Sequence, residues 1–217
     1  MDSSDKKRAK NLQRFFKTGP GEYAEGDIFI GVKVPDIRKI AKQFKSLDLK
    51  EIIRLLKSRI HEERLLALLL LISKYSQLDA IGKKKIYDLY LKHTKFINNW
   101  DLVDLSAKHI VGTFLKNKNK KPLYVLAKSK ILWERRISIL STSHFINTSE
   151  FDNILKVSKI LIRDKEDLIH KAVGWMLREV GKRDLSCEET FLKKYYKTMP
   201  RTMLRYAIER FPEKKRQ

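Results

Sequence analysis

Cys187 is the single cysteine of the chain. No intrachain disulfide can form, and no metal site built on several thiolates is available. The histidines, His61, His93, His109, His144 and His170, lack ligand spacing of the His-Glu-x-x-His kind. They read as surface or boundary residues, and no metal is expected. Glycine (8) and proline (5) are scarce for 217 residues, so helix breakers are few, and strand-like alternation is nearly missing. Long apolar runs are missing too. The longest, residues 65–73, falls far short of the ~20 residues that span a bilayer, so no membrane is expected as a partner. Residues 1–8 lack the apolar core of a secretory leader. The expected location is the cytoplasm, in association with the nucleoid. Acidic residues are in deficit as well: 26 Asp and Glu face 48 Lys and Arg, a formal charge of +22. That excess suits a polyanionic partner, nucleic acid ahead of a membrane surface. A solvated, Lys-rich surface is the alternative explanation.

What the chain does have is helical periodicity. It predicts helices over 51–56, 62–75, 83–91, 101–115, 122–128, 133–145, 151–161, 168–181, 190–196 and 202–211. Short polar breaks between them predict helices stacked as antiparallel neighbours. Arg64 and Arg136 each open an apolar helix and lie 72 residues apart, twice 36. Trp100 falls halfway, and further steps of 36 reach Ala172 and Ile208. A recurrence of this length predicts stacked helix pairs, a HEAT-repeat-like all-α solenoid. Residues 1–217 are read as one domain, with a basic tail over about 212–217.

Four segments carry candidate chemistry. In Asn98-Asn99-Trp100-Asp101-Leu102-Val103-Asp104 the asparagines suit a helix cap. Asp101 suits the first turn, where the helix dipole favours an anion. Asp104 shares a face with Asp101 and lies close to that of Trp100. A carboxylate beside an indole can stabilise a cation from two sides; capping plus a core Trp would explain the segment equally well. Lys171, Trp175 and Arg178 share a helix face at i, i+4, i+7, a stripe suited either to a phosphate backbone or to a core Trp flanked by solvated charges. Gly174, inside that helix, points to close approach by a neighbour. Of Arg135 and Arg136, one can face a groove while the other pairs with an acidic neighbour. In Gly31-Val32-Lys33-Val34-Pro35, Gly31 suits a tight bend and Pro35 a first helical turn, whose open N–H groups can hold phosphate. The runs at 116–122 and 214–216 read as solvated charge.

Taken in this order, the segments resemble the DNA alkylation repair family of HEAT-like alkylpurine DNA glycosylases, the AlkD family. The resemblance covers nearly the whole chain. It implies a C-shaped superhelix with a basic groove for duplex DNA, and excision of cationic N3- and N7-alkylated purines without metal or organic cofactor. It assigns Asp104 as the catalytic carboxylate and Trp100 and Trp175 as the active-site tryptophans. Arg136 is matched to the groove arginine and Arg178 to the basic residue after the second Trp. Lys171, Lys33 and Gly31 complete the expected DNA contacts. Val34 departs from the hydroxyl residue that many members carry before the proline, so Lys33 must contact DNA there by charge. The expected partner is duplex DNA containing alkylated purines, bound by a monomer. Charge and helical repeats alone also allow a non-catalytic DNA-binding scaffold, or a protein-interaction module with an acidic partner.

Overall fold

The computed structural model describes residues 4–216. Residues 1–3, part of the start expected to lack a secretory leader, and Gln217, the end of the basic tail, lie outside the described residues. The described residues are helical throughout, with one isolated parallel bridge between Ile28 and Ile60 in place of any sheet. They form two compact units, one up to Ser106 and one from Ala107 on. No described helix is long and apolar enough to cross a membrane.

The first unit holds α1 (Lys6–Phe15), α2 (Val34–Gln43), α3 (Leu49–Leu56), α4 (His61–Gln77), α5 (Ala80–Lys92) and the start of α6 (Trp100–Ala107). Aspartates start three of these helices: Asp5, Asp48 and Asp79 accept from the N–H of Arg8, Glu51 and Gly82, satisfying donors that a helix start leaves open. Pro35 occupies the first turn of α2. Helix α4 buries Leu65, Ala67, Leu68, Leu70, Leu71 and Tyr75. Its apolar residues spread around the axis because α2, α3 and α5 all pack on it.

The second unit holds α7 (Lys121–Ala127), α8 (Leu132–Ser141), α9 (Ser143–Ile146), α10 (Asp152–Leu161), α11 (Asp167–Gly181), α12 (Leu185–Tyr195), α13 (Arg201–Ala207) and α14 (Glu213–Arg216). Helix α11 is its centre, packed against α8, α10, α12 and α13. Gly174 is the reason α13 comes so near: an added Cβ would press on the Met203 carbonyl and on Tyr206 Cβ.

The helices predicted over 83–91 and 190–196 begin earlier, at Ala80 and Leu185, and three others change course. The helix expected over 101–115 passes into a π turn at Lys108–Gly112. The one over 133–145 breaks at Thr142 into α8 and α9. The last tightens to a 3₁₀ turn at Ile208–Arg210. Helix α1 was not predicted; it buries only Ala9, so its sequence carries almost no apolar stripe.

Two helix starts share the same local bonding, at a register one residue off the predicted one, whereas Ala172 and Ile208 fall inside α11 and a 3₁₀ turn rather than at helix openings. Arg64 Nη1 donates to the Ser58 carbonyl, and Ser58 Oγ accepts from Ile60 N–H. Arg135 Nη1 donates to the Ser129 carbonyl, and Ser129 Oγ accepts from Ile131 N–H. Arg64 therefore corresponds to Arg135, at a spacing of 71, rather than to Arg136.

Gly174→Ala gains about 1 kcal/mol in helix propensity but must overcome backbone crowding that costs roughly 1–3 kcal/mol. The expected outcome is a lower midpoint in urea or thermal unfolding. A variant as stable as the parent would show that α13 can retreat freely.

Candidate active site

The start of α6 is built from its neighbours. Asn99 Oδ1 accepts from the Trp100 N–H at 2.8 Å, the cap expected from the sequence. Trp100 is half-buried. Its indole Nε1–H donates to Tyr23 Oη at 3.2 Å. Its ring stacks on Phe16 at 5.1 Å and 27°, and Phe15 meets it edge-on at 5.9 Å. Ala9 and Leu12 of α1 close the same cluster with Phe29. This is what the weakly apolar α1 does in the fold: it walls Trp100.

Asp104 lies one turn beyond Trp100 on α6 and is half-buried. Its charge is felt at Tyr90, whose hydroxyl pKa is raised first by full burial, against the hydrogen bond with Ser106, and further by Asp104. Tyr90 Oη sits 2.8 Å from Ser106 Oγ, which donates in turn to the Leu102 carbonyl. Asp101 sits in the first turn as expected, its Oδ1 accepting from Leu102 N–H at 2.9 Å. Its Oδ2 has a partner the sequence did not suggest, His61 Nε2 at 2.8 Å.

His61 corrects the reading of the histidines as surface or boundary residues. Only 2% exposed, it opens α4 with Nδ1 3.1 Å from Asp27 Oδ2. Arg64 Nη2 stands 2.6 Å from the same oxygen, and Asn98 Nδ2 donates to Asp27 Oδ1 at 3.3 Å. A histidine this deep is tolerated because charges of both signs surround it. His93 is buried as well, with Nδ1 2.8 Å from the Leu89 carbonyl.

The loop before α2 is fixed by a second buried carboxylate. Glu62 accepts from Gly31 N–H at 2.8 Å and from Ile30 N–H, while Arg8 donates to the Gly31 carbonyl. Gly31 has φ +82, and a Cβ there would strike Asp5. Gly31 thus makes the bend that the sequence suggested, but its N–H is committed to Glu62 rather than open to a phosphate. Lys33 is exposed and precedes α2 as its N-cap; Val34 follows, exposed.

In the second unit, Lys171, Trp175 and Arg178 all lie on the half-buried side of α11, opposite Ala172, Val173, Met176 and Leu177. Trp175 donates to Glu179, one of the bonds that hold this carboxyl low against its burial. Lys171 Nζ pairs with Asp167 at 2.7 Å, and Arg178 pairs with Glu209. Arg135 pairs with Asp164 at 2.6 Å, as one of the two adjacent arginines was expected to do. Arg136 is 5% exposed and donates to the Leu168 carbonyl, so its guanidinium is engaged within the unit. No group of three or more His, Cys, Asp or Glu among the described residues stands where it would hold a metal ion.

Sequence reasoning found Trp100, Asp101 and Asp104 but missed Tyr23, Phe16, Asp27, His61 and Glu62. Those five come from loops and a helix start more than thirty residues upstream of α6, and pattern alone does not report such partners.

Comparison with known proteins bears on the fold and the family. No curated protein matches the chain. Among solved structures, a predicted DNA alkylation repair enzyme from Enterococcus faecalis superposes with a TM-score of 0.74 at 15% identity, over 98% of this chain and 99% of its own. AlkD2 from Streptococcus mutans superposes with a TM-score of 0.58 at 20% identity, over 96% of this chain and 99% of its own. At these identities the likeness speaks for the helical-repeat fold. A family model described as DNA alkylation repair enzyme matches residues 2–211, and the chain therefore belongs to the DNA alkylation repair enzyme family.

Proposed function

We propose that this family member is a monofunctional DNA glycosylase that hydrolyses the N-glycosidic bond of cationic N3- and N7-alkylated purines in duplex DNA. The observation that carries the reading is the start of α6, where a half-buried Trp100, held by Tyr23 and Phe16, stands one turn from a half-buried Asp104. The net charge of +22 supports a duplex as partner. The family model runs through both units, which supports one glycosylase domain; a monomer in the cytoplasm completes the proposal.

An alkylated purine already carries positive charge, so it leaves without a general acid. The C1′–N bond breaks with its electron pair passing to the base, which becomes neutral. The sugar is left with oxocarbenium character. The Asp104 carboxylate stabilises that charge electrostatically, and the indole face of Trp100 adds cation–π attraction. A water oxygen then bonds to C1′, and its proton passes to Asp104. The products are free base and an abasic site. Trp175 serves as the second active-site tryptophan. Lys33, Lys171 and Arg178 contact phosphates directly. Gly31 contributes by shaping the loop that presents Lys33, and Arg136 is the groove arginine with the most to lose in packing.

Release of free 7-methylguanine and 3-methyladenine from methylated duplex tests the reaction. Asp104→Asn is expected to lower the release rate by about 10²–10³-fold, with DNA affinity unchanged. Equal rates would remove Asp104 from the mechanism. Salt-steep DNA binding with no release by the wild type would make the chain a DNA-binding scaffold. Weak DNA binding at physiological salt would favour an acidic protein partner.

The phosphate assignments are read from binding against salt concentration. Lys33→Ala and Arg178→Ala should each lower the log–log slope by about one. Arg136→Ala should lower the melting temperature as well as the affinity, because its side chain is buried. An unchanged slope at any of these positions means no phosphate contact there.

A further inference from the structure

Both ring nitrogens of His61 face carboxylate oxygens, Nδ1 at 3.1 Å from Asp27 Oδ2 and Nε2 at 2.8 Å from Asp101 Oδ2. A neutral imidazole has one N–H and one lone pair. In either tautomer the lone pair would point at a carboxylate. Only the doubly protonated ring donates at both ends. The surrounding charges agree with that state. Asp27 and Asp101 are the anions facing the ring, and Arg64, 2.6 Å from Asp27 Oδ2, is the other cation. Two anions and two cations then sum to zero around a ring that is itself buried. The Phe29 and Phe16 rings lie over His61 with centroids at 4.4 and 5.3 Å, tilted by 21° and 31°, and aromatic faces attract a cation.

Two physical routes run from this ring to the start of α6. One is the bond from Nε2 to Asp101, the neighbour of Trp100 in the chain. The other is the stack from His61 through Phe16 to Trp100. We propose that His61, an imidazolium bridging Asp27 and Asp101, is the positioning residue that sets Trp100 and Asp104 for base release. The consequence for activity rests on the glycosylase reading; the bridge does not. His61 touches no substrate in this assignment and acts through Asp101 and Phe16.

Burial alone would lower the His61 pKa. The bonds to Asp101 and Asp27 outweigh burial, and the nearby Arg64 charge, and raise it above the ordinary 6.5. Burial likewise pushes Asp27 up, but the His61 bond and the Arg64 charge bring it below 3.8. A group whose pKa is raised by folding gives stability that is complete below its unfolded pKa and is lost as pH climbs through the folded value. The bridge therefore opens on the alkaline side.

The test follows the ring and the reaction in parallel. In an NMR titration of the whole protein, the His61 ring should titrate above 6.5, and the Trp100 indole N–H resonance should move with the same midpoint. Single-turnover base release should decline through that midpoint while DNA affinity holds steady. A glutamine in the histidine's place turns its amide N–H groups toward one carboxylate and its carbonyl oxygen, an acceptor, toward the other. His61→Gln should therefore lower the release rate by about 10- to 100-fold, leave KM unchanged, and lose the alkaline decline. Asp101→Asn removes one anion at a side chain 22% exposed, so the ring midpoint and the decline should both move to lower pH. This variant decides the matter if His61→Gln does not fold. A ring that titrates at or below 6.5, an indole resonance that ignores it, or a His61→Gln enzyme with the parent rate and pH profile overturns the proposal. If the wild type releases no base while ring and indole titrate together, the bridge stands and the glycosylase reading is the one that falls.

Discussion

A carboxylate taken out of water must be matched by charge and hydrogen bonds, and Asp27 imposes that constraint on the first unit. Its side chain is almost fully buried. Arg64 and His61 reach it from α4 and Asn98 from the turn before α6. The loop that carries it is stitched to α4 by the Ile28–Ile60 bridge, with Ile28 N–H donating to the Arg59 carbonyl and His61 N–H to the Ile28 carbonyl. An apolar plug of the same size would often be as stable as such a cluster. Removing one partner from it costs about 3–5 kcal/mol. What the polar groups add is direction, because His61 and Asn98 hold Asp27 by hydrogen bonds and Arg64 is itself held by its bond to the Ser58 carbonyl. The loop, α4 and the start of α6 are thereby locked in one arrangement.

The second unit meets the same constraint with the same helix-start device. Arg135 takes the place of Arg64, bonded to the carbonyl six residues before it, and pairs with buried Asp164. The acidic partner follows the arginine in the chain here, whereas Asp27 precedes Arg64. What recurs is thus the serine, the isoleucine and the arginine of the helix start. The carboxylate is recruited from wherever the fold supplies one. A recurrence counted from helix openings slips by a residue for this reason: Arg136 stands next to the equivalent position and looks like it in the sequence.

Periodicity made the long helices legible, since α4, α5, α8, α10 and α11 bury one face or more. It failed for α1, whose Ala9 and Leu12 join only a small cluster with Phe16, Phe29 and Trp100. It also ran 101–115 and 133–145 on as single helices, because a π turn and a break at Thr142 keep the helical pattern of side chains. At the site, the residues on α6 were legible because an Asn cap, a Trp and two Asp share a few turns. Their supports were not. Asp27 lies 34 residues from His61, and His61 lies 40 from Asp101. The available signal was His-Glu-Glu-Arg opening an apolar helix, which reads as an ordinary polar helix start until Asp27 is placed beside it.

Not every cation in a basic protein is free to meet a phosphate. Arg135 and Asp164 are 14% and 7% exposed. Separating them would strand a buried charge, so that pair belongs to the fold. Lys171 and Asp167 are 41% and 56% exposed, and an exposed pair of this kind is worth only about 0–1 kcal/mol. Exchanging the Asp167 carboxylate for a phosphate oxygen costs little, and the release of counterions from DNA favours it. Arg178 stands between these cases, its partner Glu209 half-exposed and its own side chain largely covered. The division follows from burial rather than from charge. It separates a basic residue that builds the helix stack from one that can exchange its partner for another anion.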